Sequence, residues 1–276
     1  MPPAGAGAPR LPDRLLGTYY ATFGEELPRL RGVHPNYTLI YLFAATPAPG
    51  RPPGTLEFTP PGDGHGAWTH WAEDLQFVRR VQRRRVLLSV GGAGQAVRLN
   101  DRAASVRLVE SVDRFYAAWK GFDGLDLNTF EGQAAPNVPE LIWVGRELKR
   151  RHPGFLITAP PAPWNPADQR LCAAMLRAQA LDYCAPQYYG GPQLGDPAYL
   201  LDNLATWVRL LGAEHVVVGF GLHAGLPDYW TEDAAARTYA RARARFPGLR
   251  GAFGWRLDWD ARRGFPFAVR LGPLVR

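Results

Sequence analysis

From Phe122 to Glu131 the chain reads Phe-Asp-Gly-Leu-Asp-Leu-Asn-Thr-Phe-Glu, placing Asp123, Asp126, Asn128 and Glu131 within nine residues. The stretch Gly124 to Asn128 is short and apolar apart from its acid and amide, as in a buried strand. Alternate strand residues share a face, so a regular strand turns Asp126, Asn128 and Phe130 the same way. A buried acidic row has raised or coupled pKa values, which suits general acid chemistry. The competing reading is a turn in which Asn128 and Glu131 solvate the loop before a helix at Pro139. An inward Asp126 with neither partner nor task is costly, and this favours chemistry.

Other chemistries find less support. His34, His65, His70, His152, His215 and His223 lack zinc-ligand spacing, so no metal site is expected. Ser89 has no nucleophile elbow around it. Cys172 and Cys184 read as core thiols, with a single bridge as the alternative. No Gly-rich phosphate loop follows the first strand, and no cofactor is expected. Tyr20 and Phe43, at the ends of the first two strands, are candidates to line a site, although most such aromatics serve packing. Trp164 and the loop Asp228-Tyr229-Trp230 carry equal weight as ligand contacts and as surface anchors.

Eight strand-like runs position these residues: Leu15–Tyr20, Tyr37–Ala45, Val86–Gly91, Gly124–Asn128, Leu156–Ala159, Leu181–Gln187, His215–Gly221 and Gly251–Trp255. Between them, Trp68–Arg84, Ser105–Trp119, Pro139–Arg150, Pro166–Ala180, Pro197–Leu211 and Thr231–Phe246 place apolar residues at three- and four-residue spacings. Asp101 and Thr231 are candidate helix caps, and Pro166 and Pro197 suit first turns. Eight βα repeats predict an α/β fold closed as a (β/α)8 TIM barrel, whose strand C-termini carry the site. A doubly wound open sheet is the alternative. Residues 1–12 read as a Pro/Gly-rich tail and 13–276 as one barrel domain. The Pro/Gly-rich stretch Thr46–Gly66 is expected to wall one side of the site.

The chain of 276 residues is 46% hydrophobic, enough for a large core. No run approaches a membrane span. The opening residues have no apolar core of a signal peptide. The expected compartment is therefore extracellular if a leader has been removed and cytoplasmic otherwise, and oligomeric state is not legible. The net charge of +7 comes almost wholly from arginine, with lysine only at Lys120 and Lys149. No nucleic-acid motif accompanies it, so solvated helix faces are the preferred reading over a nucleic-acid partner.

Five segments together resemble glycoside hydrolase family 18, the chitinase-like enzymes. Asp123 to Asn128 resembles the strand-4 signature Asp-Gly-x-Asp-x-Asp-x-Glu, and Ser89 to Gly92 the strand-3 Ser-x-Gly-Gly motif. Tyr37 to Phe43 is similar to strand 2, Gln187 to Tyr189 to the strand-6 Gln-x-Tyr motif, and Gly254-Trp255 to the strand-8 tryptophan floor. The resemblance implies a substrate-assisted retaining glycosidase acting on N-acetylglucosamine-containing polysaccharide or oligosaccharide. Carried over, it makes Glu131 the acid, Asp126 and Asn128 its supporting pair, and Tyr189 the acetamido-holding hydroxyl. Gln187 becomes a wall of the sugar site and Trp255 its floor, with Tyr20, Phe43 and Asp123 as further substrate contacts. Two positions depart from the pattern: Asn128 replaces an Asp, and Phe130 occupies the register of the acid. A β-bulge or local kink at Thr129-Phe130 would turn Glu131 into the cleft. Without one, the barrel binds sugar as a lectin and does not cut it.

Overall fold

The computed structural model describes residues 11–58, 70–128, 136–223 and 225–276. Strands β1 (Leu15–Ala21), β2 (Leu39–Pro47), β3 (Arg85–Gly91), β4 (Gly124–Asn128) and β5 (Leu156–Ala159) pair in parallel, each with the next. Strand β6 is in two pieces, Tyr183–Cys184 and Gln187–Tyr188, because Ala185-Pro186 interrupts the ladder. Its first piece pairs with β5 and its second with β7 (Val217–Gly221), and a bridge from Cys184 to Val216 spans the break. β7 pairs with β8 (Gly251–Trp255), which returns to β1 through Leu15–Gly251 to Thr18–Gly254. The ring of eight parallel strands is the expected barrel. A short arm, Leu56–Glu57, folds back antiparallel on Thr46 and Pro47.

Strand parity divides the apolar residues into two cores. Leu15, Tyr19, Leu39, Tyr41, Leu87, Leu156, Tyr183, Val217 and Phe253 fill the barrel. Their neighbours Leu16, Ile40, Leu42, Val86, Leu88, Leu125 and Val218 face outward into a larger core beneath the helices.

The helices are α1 (Trp71–Arg80), α2 (Arg102–Ala118), α3 (Val138–Arg151), α4 (Pro166–Arg177), α5 (Pro197–Leu211) and α6 (Glu232–Arg245). Asp101 caps α2 by accepting the Ala104 N–H at 2.7 Å, and Thr231 caps α6 through Ala234 at 3.2 Å. Pro166 and Pro197 occupy first turns behind the caps Asn165 and Asp196. Two closing helices, α7 (Leu257–Ala261) and α8 (Pro266–Val275), escape the sequence pattern. They are held by fully buried Asp260, which accepts from Tyr37 Oη at 2.6 Å and from the Phe267 amide at 2.7 Å.

Cys172 and Cys184 are free and buried. Among the described residues no helix is long and apolar enough to cross a membrane. Most of the expected wall Thr46–Gly66 does not have that role. Leu56 donates its amide to Ser111 on α2, so this part lies against a helix, and among the described residues of the stretch it is Thr46 that lines the cleft described below. Residues 59–69 lie outside the described residues.

Candidate functional site

A cleft of about 1080 Å³ opens over the C-terminal ends of the strands. Its floor is built from inward-facing strand ends, which parity assigns: Phe43 from β2, Gly91 from β3, Asn128 from β4, Gln187 from β6 with Tyr189 just after it, and Trp255 from β8. Trp255 stands against Phe43 with ring centroids 4.9 Å apart and against Tyr19 at 5.4 Å. Phe43 and Trp255 each precede a cis peptide bond. Gly92 follows β3 at φ 117°, and a Cβ there would lie 2.5 Å from Phe43 Cζ. Gly92 therefore makes the space that Phe43 fills.

Beneath the floor, Asp126 is completely buried. Tyr19 Oη and Ser89 Oγ donate to its Oδ2 and Thr158 Oγ1 to its Oδ1, each at 2.8 Å. Burial raises its pKa, opposed by the three hydroxyl bonds. Burial and then the Asp126 charge push Tyr19 well above the ordinary phenol value. Tyr19 thus links the aromatic floor to the buried carboxylate. One rung up, Asn128 reaches the cleft while only 5% exposed, and its Oδ1 is buried with no hydrogen-bond partner among the described residues. Such an orphan acceptor carries a desolvation cost that an incoming N–H would relieve.

Gln187 is fixed from both ends: Nε2 donates to the Pro160 carbonyl at 2.7 Å and Oε1 accepts from Tyr189 Oη at 2.6 Å. The loop after β5 forms a wall with Trp164, which is 62% exposed. That loop is pinned by buried Asp168, which accepts from the Ala162 amide and from Asn165 Nδ2, both at 2.9 Å. Tyr229 closes another side, its ring 5.8 Å from that of Tyr189. None of the described lining residues is charged.

Asp126, Asn128, Tyr189, Phe43, Gln187 and Trp255 are thus brought together, and two expected contacts are not. Tyr20 has the outward parity of β1: it is buried under the helices and donates to the Pro28 carbonyl at 2.6 Å. Asp123 precedes β4 and lies at the opposite end of the barrel. It accepts the Val86 amide at 2.9 Å and pairs with Arg79 at 3.1 Å and Arg85 at 3.5 Å. Five residues of strand, roughly 16 Å, separate it from Asn128. Glu131, Phe130 and the bulge at Thr129-Phe130 lie outside the described residues. Sequence reasoning missed Tyr19 and Thr158, although inward parity on β1 and β5 marks both. It also missed Phe23 at the rim, 58% exposed, whose signal is only a bulky aromatic just past a strand end.

The fold has close parallels among solved structures. A family 18 chitinase from Chromobacterium violaceum superposes with a TM-score of 0.80 at 20% identity, covering 99% of this chain and 87% of its own. The chain has the family 18 chitinase fold. A xylanase-A-amylase inhibitor protein also superposes on this chitinase fold, with a TM-score of 0.72, 17% identity and coverage of 93% and 98%. One fold hosts more than one activity, so function has to be argued from the site. In sequence, a chitinase (Chi52) from Paenibacillus xylanexedens is 28% identical over 153 residues, which is 50% of this chain. The match spans 28% of that protein's length. No protein-family profile matches the chain.

Proposed function

We propose that the chain is a glycosidase cleaving β-1,4-linked N-acetylglucosamine glycans of the chitin type with retention of configuration. The observation that carries this reading is one cleft in which Asn128 Oδ1, without a partner among the described residues, the Tyr189–Gln187 pair and the Trp255 floor lie above buried Asp126. The likeness to chitinases in fold, and the sequence match to one, agree with it.

In the proposed reaction Trp255 and Phe43 carry the apolar face of a sugar ring. Glu131 protonates the glycosidic oxygen. The 2-acetamido carbonyl of the substrate attacks the anomeric carbon as the leaving hydroxyl departs, giving an oxazolinium ion that water then opens. Tyr189 Oη turns its single O–H from Gln187 Oε1 to donate to the acetamido carbonyl oxygen, and Asn128 Oδ1 accepts the acetamido N–H. Both bonds strengthen as charge develops, which lowers the barrier and not merely the energy of the bound substrate. Buried Asp126 adds a fixed negative potential below the developing cation.

A second reading, a lectin of the same fold, is favoured by Asn128 itself, because an amide cannot exchange a proton with a neighbouring acid. Release of chromophore from an N-acetylglucosaminide oligomer separates the two. The enzyme reading predicts turnover that is lost in Glu131→Gln with binding retained. Saturable binding without turnover in the unchanged protein establishes the lectin, and activity surviving in Glu131→Gln removes Glu131 as the acid.

A further inference from the structure

Just past the floor, Arg256 lies between two aromatic rings, its guanidinium carbon 4.8 Å from the Phe23 centroid and 4.7 Å from that of Trp259. Its edge meets Asp258, which is fully buried: Nη2 donates to Oδ2 at 2.9 Å, and Nε stands 2.8 Å from Oδ1 in a contact of charge without hydrogen-bond alignment. Arg262 reaches the same carboxylate at 3.2 Å and also Glu25 at 3.2 Å, two residues beyond Phe23. The segment after β1 and the segment after β8 are therefore tied twice, by a cation between rings and by a shared ion pair.

Phe23 needs such a tie. It lines the cleft while 58% exposed, so burial alone does not hold its ring. Its aromatic contacts to Phe43 and Trp255 are long, at 6.2 and 6.4 Å. A guanidinium stacked on a ring face is attracted by the ring quadrupole and more weakly hydrated than an ammonium, which suits a half-buried clip. Arg256 itself does not line the cleft.

We infer that Arg256 is a positioning residue for glycan binding, clipping Phe23 into place as the rim of the cleft beside Trp255. This rests on the cleft being a glycan site. The ring is held ready before the ligand arrives, so the clip acts on affinity and leaves the chemical step alone.

The test is calorimetric titration of acetylated chito-oligosaccharide into the full chain and into Arg256→Met, Phe23→Ala and the double variant, with kcat and KM measured alongside. Arg256→Met should weaken binding about fivefold and raise KM in step, with kcat within about twofold. Phe23→Ala should weaken binding similarly, and the double variant no more than either single one, because both remove the same contact. Arg256→Lys should recover part of the loss. Additive effects of the two changes, or a fall in kcat at unchanged KM, overturn the inference. Should Arg256→Met fail to fold because Asp258 loses its partner, Trp259→Leu releases the other face of the guanidinium and must show the same coupling to Phe23→Ala. Binding by the unchanged protein with no change in Arg256→Met defeats the clip alone. Absence of binding by the unchanged protein removes the cleft reading and the clip together.

Discussion

Thr158→Val isolates the support of the buried carboxylate. Thr158 Oγ1 is the donor to Asp126 Oδ1, whereas Oδ2 keeps Tyr19 and Ser89. The substitution keeps the branched shape and leaves one oxygen of a completely buried carboxylate unsatisfied. A hydrogen bond to a charged group contributes about 1.5–3 kcal/mol, and a neutral one about 0.5–1.5 kcal/mol. The sign with pH follows from linkage. Asp126 has a folded pKa raised above the ordinary carboxylate value of 3.8. In the unchanged protein its stabilising contribution is complete below that value and is lost as pH rises through the folded pKa. Removing a donor to the carboxylate raises the folded pKa further, so the penalty in Thr158→Val is larger on the alkaline side of this titration. On the alkaline side, where the carboxylate is ionised, the expected loss is about 1.5–3 kcal/mol, a fall in Tm of roughly 3–12 °C. At pH 3.5 the loss should shrink to about 0.5–1.5 kcal/mol. Urea unfolding followed by tryptophan fluorescence on the two sides of the titration measures both. Equal losses at both, or a larger one in acid, would refute the placement of a titrating carboxylate under Thr158.

Three further outcomes follow from the cleft. Asn128→Asp should raise turnover of acetylated oligomers by about tenfold, since a carboxylate stabilises a neighbouring oxazolinium ion better than an amide, and steady-state rates report it directly. Gly92→Ala should destabilise the chain by about 2–3 kcal/mol in denaturant titration, through its left-handed backbone and the displaced Phe43 ring, and should weaken sugar binding with it. Trp255→Ala should weaken oligosaccharide binding by about tenfold or more in calorimetry, while the far-ultraviolet spectrum stays that of the native barrel.

The barrel was legible because strands buried on both faces are written as short β-branched and aromatic runs, and the eight predicted runs are the eight barrel strands. The break in β6 was not, because Ala185-Pro186 lies inside a run, Leu181–Gln187, that reads as a single strand. Helices α7 and α8 were hidden by Gly264, Pro266, Gly272 and Pro273, and by a start at Phe265 in a left-handed conformation, φ 62°. In the site, parity pointed to Asp126 and Asn128, a place at a strand end pointed to Phe43, and the family resemblance pointed to Trp255. The misplacements of Tyr20 and Asp123 have simple causes: one sits one residue off the inward parity, and the other sits before its strand begins. The partners of Asp126 come from β1, β3 and β5, separated from it by 107, 37 and 32 residues, and such spatial pairing leaves no local signal.

The most direct test of the central claim is proton NMR of the first minutes of digestion of an acetylated chito-oligosaccharide. A cleft working through the substrate's own acetamido group predicts the β-anomer as first product, no reaction on the deacetylated oligomer, and no product from Glu131→Gln. First appearance of the α-anomer, or cleavage of the deacetylated chain at a comparable rate, would contradict it.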